Sequence, residues 1–308
     1  MSQSSSKSKD GVISLSPKKS SKYAIEISGV SKEFGTVHAL ENVDLRIPTG
    51  QIFGFLGPNG AGKTTMIRCL MDYIRPSQGS MAILGKDAHA DSAELKSLVG
   101  YLSSDMQLYP NWTAKTHIDF VASIEGYGRS QELIKSFNLD LHKKVRKLSS
   151  GNKQKLAIIL AFIGNPKVLI MDEPTRGLDP LLQNQLYDLL REFASDGGTV
   201  FLSSHNLAEV QQLCHGVAVI KEGKIVSSQT MSEILKINIH NITAFSKSGF
   251  DHKDFNIDGV EIVSSGKREI KLKVKGELNQ VVKALSKYDL TNLEINHANL
   301  EDVFMEYY

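Results

Sequence analysis

Cysteine is scarce in this sequence, and long apolar segments are missing from it. The 308 residues include two cysteines, Cys69 and Cys214, which lie far apart and lack the spacing of metal ligands. We therefore expect two buried free thiols in a reduced, cytosolic compartment. No apolar run approaches the roughly 20 residues that a membrane-spanning helix needs, and no signal peptide is visible. Any membrane pathway that this protein serves is therefore expected to belong to another chain.

Neither charge nor aromatic content stands out. Lys and Arg total 36 against 34 Asp and Glu, and the net charge of +2 gives no reason to expect a nucleic-acid partner. Residues 1–22 are rich in Ser and Lys, and five lysines against one aspartate leave this segment with a charge of +4. Such a segment buries too little apolar surface to offset the entropy of ordering, so we expect a disordered tail. The remaining length allows two domains.

A complete phosphate-binding loop, GPNGAGKT, occupies residues 57–64. It follows the apolar run Ile52–Leu56, typical of a buried strand, and precedes a helical pattern at residues 65–70. Glycines let backbone N–H groups surround a phosphate, and the helix N-terminus adds partial positive charge. Lys63 is expected to reach the β- and γ-phosphates, and the Thr64 hydroxyl to bind Mg²⁺. The predicted nucleotide-binding residues of this segment are Gly57, Pro58, Asn59, Gly60, Ala61, Gly62, Lys63, Thr64 and Thr65.

An acidic pair follows a second apolar run. Residues 167–171 read KVLIM, as expected for a parallel strand covered on both faces, and they lead into Asp172 and Glu173. One carboxylate can hold hydrated Mg²⁺ while the next polarises an attacking water, and phosphoryl transfer needs both. An acidic pair at the surface end of a strand is the alternative interpretation. Between the two motifs, LSSGNKQ at residues 148–154 leads into a helical stretch and, taken alone, indicates no more than a helix cap.

Together these motifs resemble those of the ATP-binding subunit of an ABC transporter. LSSGN at residues 148–152 resembles the family's LSGGQ signature, and MDEPTRGLDP at residues 171–180 resembles its joined Walker B motif and D-loop. The segment that ends in His205 resembles its switch strand. The resemblance covers roughly residues 25–230, with the motifs in the family's order. Small kinases and GTPases do not combine a signature with a switch histidine.

The resemblance implies an α/β fold of the P-loop NTPase class. This ABC cassette has a mixed sheet core, an antiparallel β subdomain and an inserted helical subdomain, and a small C-terminal α+β domain follows it. Apolar–polar alternation at residues 24–50 agrees with the antiparallel part, and helical spacing at about residues 111–165 agrees with the insertion. We predict the cassette at residues 23–231 and the appendage at residues 232–308, with a last helix that begins at Asn299.

The resemblance also implies that two cassettes, most simply two copies of this chain, pair head to tail around two ATP molecules. Ser149 and Gly151 would contact the γ-phosphate of the nucleotide that the partner holds. Glu173 would act as general base, a role that contributes about 10²- to 10⁴-fold in rate, and His205 would hold the γ-phosphate and the attacking water in line. Asp179 would lie in the D-loop at the seam, and it also reads as a helix N-cap. The predicted catalytic residues are Glu173, His205 and Lys63.

Two further positions concern the nucleotide and its metal. Phe34 precedes the loop by about two dozen residues, where the family has the aromatic that stacks on adenine. Ser104 stands six residues before a proline, where the family usually has a glutamine that binds Mg²⁺ and senses the membrane partner. Because a serine is short, we expect Ser104 to reach the metal only through water, and Asp105 and Gln107 are the open alternatives. The predicted metal-binding residues are Thr64, Asp172 and Ser104.

The expected function is that of an ATP-hydrolysing subunit that drives a separate membrane permease from the cytoplasmic face of the membrane. Its cofactors would be ATP and Mg²⁺, and its partners the permease and a second cassette, without nucleic acid. LEDVF at residues 300–304, GNKQK at residues 151–155 and Ser104 resemble bacterial type-two exporter ATPases, including bacitracin- and drug-resistance subunits, which favours export. The alternative is a soluble ABC ATPase that acts on ribosomes or DNA. Such proteins usually have two cassettes in one chain, a long coiled coil or zinc insertions, and this sequence contains none of them.

Overall fold

The computed structural model describes residues 22–235 and 239–297. The strands in these ranges are β1 (Tyr23–Phe34), β2 (Val37–Pro48), β3 (Ile52–Leu56), β4 (Gln78–Ile83), β5 (Lys86–Asp87), β6 (Val99–Leu102), β7 (Val168–Asp172), β8 (Thr199–Ser204), β9 (Gly216–Lys221), β10 (Lys224–Thr230), β11 (Ile239–Ser246), β12 (Val260–Ser265), β13 (Glu269–Lys275) and β14 (Leu290–His297). The α-helices are α1 (Lys63–Leu70), α2 (Ser92–Lys96), α3 (Ala114–Glu125), α4 (Ser130–Ser136), α5 (Ser150–Ala161), α6 (Pro180–Ser195), α7 (Leu207–Leu213), α8 (Met231–Leu235) and α9 (Asn279–Leu285). Short 3₁₀ turns lie at Val145–Lys147 and His252–Phe255.

The six-stranded central sheet brings three of the predicted motifs to one edge. Its order is β10-β9-β3-β8-β7-β6, and every neighbouring pair is parallel except β10 and β9. All residues of β3, β7 and β8 are buried, which explains their largely apolar sequences. Because the carboxyl ends of parallel strands meet at one edge, the phosphate-binding loop, the acidic pair and His205 lie side by side.

A four-stranded antiparallel sheet, in the order β2-β1-β4-β5, forms the predicted antiparallel part of the cassette. Ile25 pairs with Ile47 and Val30 with Val43, so that alternate apolar side chains share one face. This face packs into one hydrophobic core with Met66 of α1 and with one face of the central sheet. The alternation in the sequence therefore predicted this sheet correctly, since only one of its faces is buried there.

The segment between β6 and β7 contains the helices α3, α4 and α5, which confirms the predicted helical insertion. Leu133 and Leu156 join the core on the other face of the central sheet. Phe162, just after α5, packs edge to face against Phe193 of α6, with ring centroids 5.6 Å apart. The bounds of the insertion at residues 111 and 165 stay predictions.

Beyond α8, a second antiparallel sheet in the order β12-β13-β11-β14 forms a small α+β unit with α9. Phe255, Leu272 and Val281 lie in a separate hydrophobic core there. The division of the chain after residues 22 and 231 stays a prediction. The tail at residues 1–21 and the helix predicted from Asn299 lie outside the described residues.

Two predictions from composition can be compared with the structure. Cys69 and Cys214 are buried free thiols, as expected, and burial raises the pKa of Cys69 to about 11. Neither described range contains a helix both long and apolar enough to cross a bilayer.

Candidate active site

The loop after β3 has a shape that requires glycine at two positions. A Cβ atom on Gly57 would lie 2.4 Å from the carbonyl oxygen of Ile220, and one on Gly62 would lie 2.6 Å from that of Ala39. Gly62 also has a φ of 109°, a region that side chains rarely allow. The Gly57 N–H donates to the Ser204 carbonyl at 3.2 Å, which ties the loop to the end of β8. The glycines therefore let the loop pass close to neighbouring backbone.

Lys63 links this loop to the acidic pair. Its Nζ donates to the carbonyl oxygens of Gly57 at 2.6 Å and Pro58 at 3.2 Å. The same nitrogen lies 3.4 Å from Glu173 Oε1, and the two side chains are 7% and 14% exposed. The cation is thus held at the loop, where it can meet a phosphate and also interact with the carboxylate across the cleft.

The Asp172 carboxylate accepts hydrogen bonds from three hydroxyl groups. It is fully buried, and its Oδ2 accepts hydrogen bonds from Thr64 Oγ1 at 2.8 Å and Ser104 Oγ at 2.9 Å. Its Oδ1 accepts from Ser203 Oγ at 2.5 Å. Mg²⁺ prefers oxygen ligands and is usually held by one or two carboxylates together with substrate phosphates, so this set fits Mg²⁺. Ser104 reaches the same carboxylate oxygen as Thr64, while its predicted water-mediated metal contact stays a prediction.

Glu173 has an unusual backbone conformation at the end of β7. Its φ is +53°, a left-handed value that is uncommon for a residue other than glycine. Its N–H donates to the Ser203 side chain at 3.1 Å, and its Oε2 lies 2.6 Å from His205 Nδ1. Backbone strain of this kind persists where the surroundings hold it, often at functional sites. Here the conformation directs the carboxylate toward both Lys63 and His205.

A cleft of about 890 Å³ brings most of the predicted residues together. The predicted residues that line it are Pro58, Asn59, Gly60, Gly62, Lys63, Thr64, Thr65, Ser104, Glu173 and His205. Of the two alternatives near Ser104, Asp105 lines this cleft and Gln107 lines a neighbouring groove. Gly57, Ala61 and Asp172 do not line the cleft, since these three residues are buried.

Ser149, Gly151 and Asp179, which were predicted to lie at a dimer seam, are not among the residues that line this cleft. Ser149 caps α5, where its side chain accepts from the Asn152 N–H at 3.3 Å, and Gly151 lies in the same first turn. Asp179 caps α6, as predicted, and accepts from the Leu182 N–H at 2.9 Å. The roles of these residues at a dimer seam stay predictions.

Phe34 ends β1 and is 49% exposed. Its ring centroid lies 5.0 Å from Lys32 Nζ, and it is absent from the residues that line the cleft. Val37 and His38, at the start of β2, line the cleft near this end instead. The adenine-stacking role of Phe34 stays a prediction.

Several residues of the site were not predicted from the sequence. Arg176, Glu222 and Gly223 line the cleft, and of these three only Arg176 lies within one of the sequence motifs. The Ser203 hydroxyl donates to the Asp172 carboxylate and accepts from the Glu173 N–H, and Glu209 is buried behind the end of β8. The sequence indicates Glu209 only as a charged residue between two apolar neighbours in a short helix.

Comparison with known proteins agrees with this geometry. The family described as ABC transporter matches residues 40–176. The bacitracin transport ATP-binding protein BcrA of Enterococcus faecalis is 30% identical over 300 residues, which are 92% of this chain and 95% of that protein. The daunorubicin/doxorubicin resistance ATP-binding protein DrrA of Streptomyces peucetius is 32% identical over 71% of each chain. A dimeric ATP-binding cassette solved in a post-hydrolysis state with ADP and Pi has a TM-score of 0.62 at 25% identity, over 67% of this chain and 98% of that one.

The similarity to BcrA extends over nearly the full length of both chains, and the fold is that of the solved cassettes. This protein therefore belongs to the ATP-binding proteins of ABC transporters, and it is an ATPase.

Proposed function

We propose that two copies of this chain enclose two Mg²⁺–ATP molecules and drive a separate membrane permease in export, at the cytoplasmic face of the membrane. The observation that carries the proposal is the division of the site: the loop, the acidic pair and His205 share one cleft, whereas Ser149 and Gly151 do not line it. A second copy would supply the missing groups. The names of the relatives, which are bacitracin transport and drug resistance proteins, support export.

In this proposal the chain's own residues prepare the water and the phosphates for reaction. Lys63 binds the β- and γ-phosphates, which draws its charge away from Glu173. Glu173 accepts a proton from the attacking water, and His205 holds the carboxylate and the γ-phosphate in line. Thr64, Asp172 and Ser104 would hold Mg²⁺, which neutralises charge on the β- and γ-phosphates when it is bound. The cassette at residues 23–231 would carry all of these roles, and the role of the appendage at residues 232–308 is left open.

Ser104 provides a test of the metal site. We expect Ser104→Ala to raise the Mg²⁺ concentration for half-maximal ATPase activity by about 10-fold, because the carboxylate of Asp172 loses one of its hydroxyl partners. Ser104→Gln, which retains an oxygen that can reach this region, should have a smaller effect. Ser103→Ala is the matched control, since the Ser103 hydroxyl accepts from the Asp105 N–H at 3.3 Å and does not contact Asp172. An unchanged Mg²⁺ dependence in Ser104→Ala would remove Ser104 from the site.

The helical insertion offers a surface for the proposed permease. Ser104 lines both the nucleotide cleft and a groove of about 440 Å³ against the insertion. Tyr109, between the groove residues Leu108 and Pro110 in the chain, contacts the ring of Trp112, which also contacts the ring of Phe120. Tyr109 and Phe120 are 60% and 52% exposed. Exposed aromatics of this kind are typical anchors of protein interfaces. A partner helix in this groove would therefore lie next to a residue of the metal site.

This surface can be tested by membrane capture. We expect Phe120→Asp to lower recovery of a polytopic membrane partner from detergent-solubilised membranes by about 10-fold or more, because a charge then faces an apolar contact. Val282→Asp is the control, since Val282 is 43% exposed on α9, outside the insertion. Equal losses in both variants would contradict a specific docking surface. Recovery of ribosomal or DNA fragments in place of a membrane protein would instead favour the soluble ATPase.

A further inference from the structure

The first turn of α7 buries a carboxyl group directly behind the cleft. Glu209 is 2% exposed, and its Oε2 shares a hydrogen bond of 2.5 Å with Ser204 Oγ. Its Oε1 has no hydrogen-bond partner among the described residues. A buried carboxylate with an unpartnered oxygen is costly, whereas a neutral carboxyl group tolerates such a site far better.

The charges around Glu209 favour the neutral form. Burial is the largest effect and raises the pKa of Glu209, and the charge of Glu173 adds to it. The hydrogen bond from Ser204, the nearby Thr175 hydroxyl and the charge of His205 oppose this shift without reversing it. The other titratable groups near Glu209 are Tyr187 of α6 and Cys214 at the end of α7, and burial is the main cause that raises the pKa of each of them. Apart from His205, no described cation is among the groups that shift the pKa of Glu209.

Glu209 also connects the two segments that carry the proposed catalytic groups. Its partner Ser204 immediately precedes His205, and the Ser204 hydroxyl accepts from the Asn206 N–H at 2.9 Å. The Asn206 side chain in turn accepts from the N–H groups of Ala208 at 3.0 Å and of Glu209 at 3.4 Å. Both chain neighbours of His205 are therefore anchored to the first turn of α7.

The second segment is the one that follows Glu173. Thr175 lies two residues after Glu173, and its hydroxyl is near enough to Glu209 to oppose the rise in the pKa of that carboxyl group. A single carboxyl group thus lies against the chain next to both members of the Glu173–His205 pair, whose side chains are 2.6 Å apart. A small displacement of either segment would lengthen that contact.

We propose that Glu209 is a positioning residue for ATP hydrolysis, which acts as a neutral carboxylic acid and holds His205 and Glu173 in register. The inference rests on the proposed roles of these two residues. Its expected consequence is specific: loss of Glu209 lowers kcat and leaves ATP binding nearly unchanged, because the phosphate-binding loop does not contact it.

The test is a double-mutant cycle between Glu209 and His205. Glu209→Ala should lower kcat by about 10- to 100-fold through misplacement of the reacting groups, with a nearly unchanged KM for ATP. Glu209→Gln, which is neutral and has the same length, should recover most of the lost rate. In the double variant with His205→Ala, removal of Glu209 should slow hydrolysis by no more than about 2-fold further, because the contact between His205 and Glu173 that Glu209 maintains is already lost. Val210→Ala is the control, since it truncates a fully buried apolar side chain of the same helix and leaves the Glu209–Ser204 hydrogen bond in place.

Three results would overturn the proposal: an unchanged kcat in Glu209→Ala, losses that are additive with His205→Ala, or damage from Glu209→Gln equal to that from Glu209→Ala. If Glu209→Ala fails to fold, Ser204→Ala removes the connection from the other side and should show the same loss of kcat. The proposed function fails separately, through a His205→Ala protein that hydrolyses ATP normally.

A measurement without activity tests the protonation state. Because the folded-state pKa of Glu209 is raised, its neutral form contributes stability at acid pH that is lost as the pH rises toward that pKa. The free energy of unfolding of the wild type should therefore fall relative to that of Glu209→Gln as the pH increases above about 4.3, the ordinary pKa of glutamate. Parallel pH dependence in the two proteins would show that Glu209 is not a neutral acid.

Discussion

Replacing Glu173 by glutamine is expected to lower steady-state ATP hydrolysis by about 10²- to 10⁴-fold, the usual contribution of a general base. Glutamine cannot accept the proton of the attacking water, but it has the same length and can still hydrogen bond to His205. Without the negative charge beside Lys63, whose Nζ lies 3.4 Å from Glu173 Oε1, binding of the polyphosphate should not weaken. A phosphate-release assay and a nucleotide-binding titration measure these two effects.

The same variant should accumulate as a dimer with Mg²⁺–ATP, because the closed state is no longer resolved by hydrolysis. Light scattering with and without nucleotide measures this. Glu222→Gln is the matched control, since Glu222 lines the same cleft, whereas the ion pairs of Lys63 and His205 in the described part of the chain are with Glu173. A Glu173→Gln protein that keeps a substantial part of the wild-type rate would exclude Glu173 as the base. A protein that stays monomeric with Mg²⁺–ATP would count against the shared site.

Mixing Lys63→Ala with Gly151→Asp is expected to restore hydrolysis that each variant lacks alone. Lys63→Ala removes the cation of the phosphate-binding loop, and Gly151→Asp places a negative charge where the partner's γ-phosphate would lie. We expect each to lose at least about 100-fold in rate, as is usual when a group that stabilises developing charge is removed. In a mixed dimer both defects fall on one site, and the other site has an intact loop and an intact signature.

Random pairing of equal amounts of the two variants makes about half of the dimers mixed. Each mixed dimer has one intact site out of two, so the mixture should have about a quarter of the activity of the same amount of wild type. The Gly151 variant should fold, because a Cβ atom there meets no atom within 4 Å and an aspartate in the first turn of α5 favours the helix. Activity of the mixture over a range of ratios provides the measurement.

The negative control mixes Lys63→Ala with Glu173→Gln. These two residues line one cleft of the same chain, so a mixed dimer would have one defect in each site and no intact site. Recovery in this control, or no recovery with Gly151→Asp once native mass spectrometry shows mixed dimers, would contradict the division of the site between two copies.

Local motifs explain why so much of the cleft was predictable. The spacing of the loop's glycines is visible within eight residues of sequence, although the backbone atoms that exclude a side chain at Gly57 and Gly62 belong to Ile220 and Ala39. Asp179 caps α6 through a hydrogen bond to a residue three positions away. The apolar runs of β3 and β7 are continuous because both faces are covered, which a short window of sequence already indicates.

Other features depend on segments that are distant in sequence. Ser104 contacts Asp172 across 68 positions, and nothing near Ser104 in the chain predicts that its hydroxyl and that of Thr64 meet on one oxygen. Phe34 is not among the residues that line the cleft, and the adenine contact that its place in the chain predicts stays a prediction.

The sequence by itself determined the phosphate-binding loop, the strands that lead into the loop and the acidic pair, and the helix caps, because residue type, periodicity and short-range hydrogen bonds encode them. The motifs in their order also identified the family. Only the tertiary structure decided which hydroxyl groups surround Asp172, that Glu173 adopts a left-handed backbone conformation, and that Glu209 lies buried with one unpartnered oxygen. The state of a carboxyl group depends on how far water is excluded from it and which charges remain near it, and both are properties of the packed molecule.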